Sequence, residues 1–169
     1  MSDSADEQRI HHPEAHFSNQ HPASDISQPQ PRNPKPETSV EVTEEHHIAR
    51  ARQVSRALAR ENGFSSVEVC YVETSVSELA GNLYFHTDLG GTITFNVVKN
   101  ERGLGIEVVS EDEGPGIANV SLVMQDGFST NGGLGSGLPG VERLMDEFEI
   151  VSQPGRGTRI VARKWKKCR

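Results

Sequence analysis

Cysteine is scarce in this chain. Cys70 and Cys168 stand far apart in a sequence of 169 residues and fit neither a disulfide framework nor the spacing of a zinc site. A reducing compartment is the simplest home for such a protein. Long apolar runs are missing too: none approaches the ~18 residues needed to cross a bilayer, and no charged-then-apolar leader opens the chain. The reading is therefore a cytoplasmic protein that neither enters nor crosses a membrane. Positive charge is also in deficit, with 17 Lys and Arg against 24 Asp and Glu for a net charge of -7, so no basic footprint for nucleic acid is present. The one basic cluster, Arg163-Lys164-Trp165-Lys166-Lys167, reads as a solubility feature or a partner contact. Finally, no Gly-Lys-Ser/Thr occurs, which removes a Walker A phosphate loop.

Proline, by contrast, is concentrated. Six of the nine prolines fall in residues 1–38, where Ile10, Phe17 and Ile26 are almost the only apolar side chains. Such a segment buries too little surface to offset its chain entropy and is expected to be a disordered tail. Its histidines, His11, His12, His16 and His21, invite a metal site, but their spacing is irregular, Pro13 interrupts any aligning helix, and no cysteine accompanies them. A solvated polar tail is the better reading, and residues 39–169 form the expected domain.

Within that domain the periodicities alternate between 3.6 and 2. Thr38 to Val42 alternates as a strand, and Thr43 offers a hydroxyl N-cap to a helix from about Glu44 to Asn62 that Gly63 ends. A second helix starts at Ser65 or Ser66 and carries Val69, Val72, Val76, Leu79 and Leu83 as a core-facing stripe. Gly91 to Val98 and Leu104 to Glu111 alternate as two strands around the turn Lys99 to Gly103. The polar stretch Ala118 to Asn131 reads as a loop or lid. A short helix with Val141, Leu144, Met145 and Phe148 on its buried face follows Pro139, and 148–151 with 158–162 form a closing hairpin. Helices first, then strands with one late helix, suggest an α+β layer in which an antiparallel or mixed sheet is covered on one face.

Four segments carry chemistry on this scaffold. Glu78 and Asn82 lie one helical turn apart, only about 40° from each other around the axis and roughly 100–140° from the apolar stripe, so they share a shoulder beside the core. Asp112-Glu113-Gly114-Pro115-Gly116-Ile117 follows a strand end, where a carboxylate faces a cleft and can receive a base amine. Gly132-Gly133-Leu134-Gly135-Ser136-Gly137-Leu138 runs into a helix N-terminus, whose N–H groups and dipole favour phosphate. Gly155-Arg156-Gly157-Thr158 closes the series. Gly135-Ser136-Gly137-Leu138-Pro139-Gly140 also matches a dinucleotide fingerprint, but no strand precedes it and too little chain follows for a Rossmann fold. Any one segment is a common turn or helix surface; the ordered set resembles a nucleotide pocket.

The set resembles the GHKL or Bergerat-fold ATPases, a family that includes histidine kinases, gyrase-type ATPases and the small anti-sigma regulatory serine kinases. Glu78 and Asn82 match its N box, Asp112, Gly114, Gly116 and Ile117 its first glycine box, Gly133, Leu134, Gly135, Ser136, Gly137 and Leu138 its second, and Gly155 to Thr158 its third. The resemblance covers about residues 40–165, and Met124 to Phe148 is most similar to the switch kinases of bacterial stressosomes. It implies a two-layer α+β sandwich with a mixed, mostly antiparallel sheet covered on one face by about three helices. It implies ATP as cofactor, Mg²⁺ on Asn82, adenine on Asp112 with Thr158 nearby, and Glu78 as general base. The implied partners are a STAS-domain protein of the RsbS/RsbR kind, phosphorylated on Ser or Thr, and a PP2C-type phosphatase of the RsbU kind. An anti-sigma factor kinase that binds a sigma factor, and a docking module without catalysis, are the alternatives. A histidine-kinase reading is weaker, because His46-His47 lacks the following Arg-x-Pro context. His86, one turn after Asn82, reads as a helix-end residue.

Overall fold

Period-two alternation and the 3.6-residue stripe meet in a single hydrophobic layer. A computed structural model describes residues 38–125 and 137–167. The proline-rich segment, with its four histidines, lies outside the described residues. The elements are β1 (Thr38–Val42), α1 (Glu45–Glu61), α2 (Ser66–His86), β2 (Gly91–Asn100), β3 (Gly103–Asp112), α3 (Val120–Val123), α4 (Gly137–Leu144), β4 (Glu147–Ser152) and β5 (Thr158–Trp165). The strands form one sheet in the order β1-β2-β3-β5-β4, and all four pairings are antiparallel. No parallel pair occurs among the described residues, so the sheet is simpler than the mixed one the resemblance implied.

Alternate side chains decide which face the helices cover. Val40, Val42, Ile93, Phe95, Ile106, Val108, Ile160 and Ala162 join the buried cluster with the apolar residues of α1, α2 and α4. On α2, the predicted stripe Val69, Val72, Val76, Leu79 and Leu83 is buried throughout. Each of these side chains contributes about 1.5–3 kcal/mol by leaving water. Glu73 of α2 ties α1 down through Arg52 at 2.9 Å and through Nη2 and Nε of Arg56 at 2.5 and 2.8 Å.

Three local details differ from the sequence reading. The N-cap of α1 is Glu44 rather than Thr43, because His47 Nδ1 accepts the backbone N–H groups of both residues, at 3.2 and 3.3 Å. Phe148 leaves the helix: α4 stops at Leu144, and Phe148 sits in β4 paired with Ala162, where it packs on the core from the sheet side. The polar stretch after Ala118 contains one helical turn, α3, started by Asn119 Oδ1 accepting from Leu122 N at 3.0 Å. Residues 126–136 lie outside the described residues.

The basic end of the chain is built into the fold. Lys164 is buried, and its Nζ donates to Leu144 O and Asp146 Oδ1, both at 2.9 Å, which joins the end of α4 to β5. Lys166 Nζ donates to Asn62 O at 3.1 Å, and Lys167 N donates to Glu68 Oε1 at 2.8 Å. Glu68 also completes the capping box of α2, accepting from Ser65 N at 2.7 Å while its own N–H donates to Ser65 Oγ at 3.3 Å.

Burial alone would push the Glu68 carboxyl up. The hydrogen bonds from Ser65 and from the Lys167 backbone, with the charge of Lys164, outweigh it and hold the carboxyl below the ordinary glutamate range. A group lowered in the folded state stabilises at pH values above its unfolded pKa, and that contribution fades as pH falls through the folded value. Glu68→Gln should therefore lower stability at pH 7 by about 1.5–3 kcal/mol, measured by urea denaturation. The difference from wild type should shrink once acid has protonated Glu68, provided the fold survives that pH.

Candidate active site

Four strands present one row of residues at a single end of the sheet. Thr92 pairs with Glu111, which sets Gly91 opposite Asp112; Asp112 pairs with Thr158, and Thr158 with Ser152. Asp112 shares the helix-covered face with Ile106 and Val108, and Thr158 shares it with Ile160 and Ala162. Side chains directly opposite in such a pairing stand about 5 Å apart at Cβ. Gly91 opens this row to α2: a Cβ there would fall 2.7 Å from Leu83 Cδ2 and 3.3 Å from Asp112 Cβ. The last turns of α2 thus come down over the carboxylate.

The loop after Asp112 and the β4–β5 hairpin clasp each other. Asp112 Oδ1 accepts from Gly114 N at 2.8 Å, which commits one carboxylate oxygen to the loop. Gly155 N donates to Pro115 O at 2.8 Å, and Ile117 N donates to Ser152 Oγ at 2.8 Å. Gly116 has φ 68° and would drive a Cβ to 2.1 Å from Gln153 O; Gly157 has φ 80° and would drive one to 1.9 Å from Asp112 O. These glycines are required by the chain's own backbone. The clasp accounts for their positive φ and crowding without any ligand. Gly114 is similarly crowded, since a Cβ would lie 2.9 Å from Asp112 Oδ1 and 3.0 Å from Thr87 Cγ2.

Glu78 and Asn82 occupy the α2 shoulder that helical phasing assigned to them, both half-buried between fully buried neighbours such as Leu79 and Leu83. Thr87 ends α2 above Gly114, its hydroxyl 2.6 Å from Leu83 O and 2.9 Å from Gly90 O. A cleft lined by Asp88, Leu89, Glu113, Gly114 and Pro115 opens beside it. His86 is the exposed last residue of α2, as read. Of the second glycine box, Gly137 and Leu138 begin α4, and α4 packs on α2. Gly133, Leu134, Gly135 and Ser136 lie outside the described residues. Ile117 packs on the core while its N–H is held by Ser152.

Sequence reasoning missed Gly91, Thr87 and Ser152. The Gly90-Gly91 pair at a strand start was a visible hint of close backbone approach. Ser152 carried no signal, because its role arises only when β4 meets both β5 and the loop after Asp112. Among the described residues no group of three or more His, Cys, Asp or Glu converges as a metal cage. A Mg²⁺ ion held by one side-chain oxygen and substrate phosphates needs no such cage.

This fold and this site define an ATPase-type nucleotide domain. Residues 40–164 match the histidine kinase-like ATPase domain, and the chain belongs to that family. Membership implies ATP as the cofactor. The chain is 46% identical over 129 residues to the serine/threonine-protein kinase RsbT of Bacillus subtilis, covering 76% of this chain and 96% of that one. It is 33% identical over 119 residues to the anti-sigma F factor of Clostridium acetobutylicum, covering 68% of this chain and 82% of the relative. The crystal structure of the RsbU and RsbW domains of a Mycobacterium tuberculosis protein superposes with a TM-score of 0.56 at 17% identity, over 80% of this chain. This chain spans 34% of that longer one, and the likeness is one of fold.

The clasp makes a direct prediction. Gly157→Ala, which meets both the positive φ and the Asp112 carbonyl, should lower stability by about 3 kcal/mol or more. Gly155→Ala, with φ 73° and nothing within 4 Å of the added Cβ, should cost only about 1 kcal/mol. Parallel urea titrations of the two variants measure the gap.

Proposed function

We propose that this protein serine/threonine kinase transfers the γ-phosphoryl group of ATP to a serine or threonine of a STAS-domain regulator of the RsbS/RsbR kind. Having phosphorylated that scaffold, it exchanges it for a PP2C-type phosphatase of the RsbU kind, in cytoplasmic stress signalling. The observation that carries the reading is the single helix α2, which holds Glu78 and Asn82 on its half-buried shoulder and ends over Asp112. The similarity to RsbT, almost full-length for that relative, supports the acceptor class.

The residues present fit the nucleotide. Asp112 keeps a carboxylate oxygen beyond its bond to Gly114 for a base amine, and Thr158 stands next to it in register. Gly137 and Leu138 open α4, and a helix N-terminus suits phosphate. Asn82 would hold Mg²⁺ through its neutral side-chain oxygen, and the bound ion would supply charge neutralisation at the phosphates. Glu78 takes the proton of the attacking hydroxyl, and the rest of the site positions the reactants. The anti-sigma F relatives favour a second reading, in which the same domain also retains a sigma factor.

Incubation with Mg-ATP and purified STAS-domain proteins, followed by phosphopeptide mass spectrometry, tests the proposal. Wild type should label one serine or threonine. Glu78→Gln should lower the rate by about 10²–10⁴, and Asn82→Ala should raise the Mg²⁺ concentration required. Full transfer by Glu78→Gln, or retention of a sigma factor without labelling of any STAS protein, would overturn it.

A further inference from the structure

Ser152 lies outside every motif of the pocket, yet its hydroxyl sits at a three-way junction. Its Oγ is 2.8 Å from Ile117 N, 3.0 Å from Gly157 O and 2.8 Å from Thr158 Oγ1. A serine hydroxyl has one hydrogen and two acceptor lone pairs. The amide of Ile117 can only donate, and the carbonyl of Gly157 can only accept. If Ser152 gave its hydrogen to Thr158, two oxygens with no hydrogen between them would face each other at the 3.0 Å separation from Gly157 O. The arrangement that satisfies all three contacts sends the Ser152 hydrogen to Gly157 O and brings the Thr158 hydrogen to Ser152 Oγ. Thr158 then has no hydrogen left, and its oxygen meets the pocket as an acceptor.

That polarity matters because Thr158 is the register neighbour of Asp112, another acceptor, on the same face of the sheet. Two adjacent acceptors suit the exocyclic amine of a 6-amino purine, which carries two hydrogens. They repel the carbonyl oxygen of a 6-oxo purine. We propose that Ser152 is a specificity-determining positioning residue, which fixes Thr158 as a second acceptor beside Asp112 and so selects a 6-amino purine nucleotide over its 6-oxo counterpart. The inference rests on the reading of this site as the ATP pocket.

The test measures dissociation constants and KM for Mg-ATP and Mg-ITP in wild type, Ser152→Ala, Ser152→Thr and Thr158→Val. Wild type should prefer ATP. In Ser152→Ala the Thr158 hydroxyl is free to turn and donate, so the ATP:ITP preference should fall about tenfold, in KM rather than in kcat. Ser152→Thr, which restores the hydroxyl, should recover the preference. Thr158→Val leaves the Ser152 contacts to Ile117 and Gly157 in place and should lose the preference to a similar extent, with no further loss in the double variant. Equal weakening of both nucleotides in Ser152→Ala, or an unchanged ratio in that variant, would overturn the role of Ser152 while leaving the pocket intact. Failure of wild type to bind Mg-ATP, or full-strength ATP binding by Asp112→Asn, would overturn the pocket itself.

Discussion

The burial of α2 against the sheet is the constraint from which the site follows. Val72, Val76 and Leu79 are wholly removed from water, and Leu83 nearly so. With that stripe fixed, the helix has no rotational freedom left, and Glu78 and Asn82 must lie on its shoulder. Its far end is fixed as well, because Leu83 occupies the space that a side chain at Gly91 would claim. Apolar packing thereby holds a carboxylate and a carboxamide on one helix shoulder, while the end of the same helix packs beside Asp112 of β3.

The second half of the site depends on closeness between backbones. The loop after Asp112 and the β4–β5 hairpin meet through Gly155 N to Pro115 O and Ile117 N to Ser152 Oγ, and they approach so tightly that Gly116 and Gly157 admit no side chain. The result is a rigid floor at the sheet end, with Asp112, Thr158 and Ser152 in a fixed order. The opposite face of the sheet carries charge instead. Arg163 bridges Glu107 and Glu147, Arg102 joins Glu147, and Arg159 pairs with Glu111. Thus Arg163, read from the sequence as part of a basic cluster, is matched by carboxylates. Lys164 and Lys166 are likewise spent on carbonyls and Asp146.

Much of the fold was legible because its signals are local. The α2 stripe, the alternation of β2 and β3 and the capping residue Ser65 each follow from a few neighbouring residues. One error arose where a distant strand decided, the other where a side chain three or four positions along the chain did. Phe148 has the spacing of a helix position after Leu144, but pairing with Ala162 in β5 makes it a strand residue. Thr43 is a good N-cap by composition, yet the imidazole of His47 moved the helix start to Glu44. The candidate site divides in the same way. Glu78 with Asn82 could be phased on a helix and Asp112 placed at a strand end. The reason for Gly157, and any role for Ser152, required knowing what lies across the sheet.

By itself, the sequence determined the α+β class, the amphipathic stripe of α2 with its polar shoulder, and the ordered set of carboxylate, carboxamide and glycine segments. These depend on residue type and spacing along a helix or strand, which the chain carries with it. Only the tertiary structure decided that the first and third glycine segments clasp each other, that the basic end is an internal fastening, and that Ser152 stands between Thr158, Gly157 and Ile117. They depend on contacts that reach far along the chain, 35 positions for Ile117 and Ser152 and 99 for Glu68 and Lys167. No local periodicity encodes a contact at that range; it exists only after the helices and the sheet have buried their shared face.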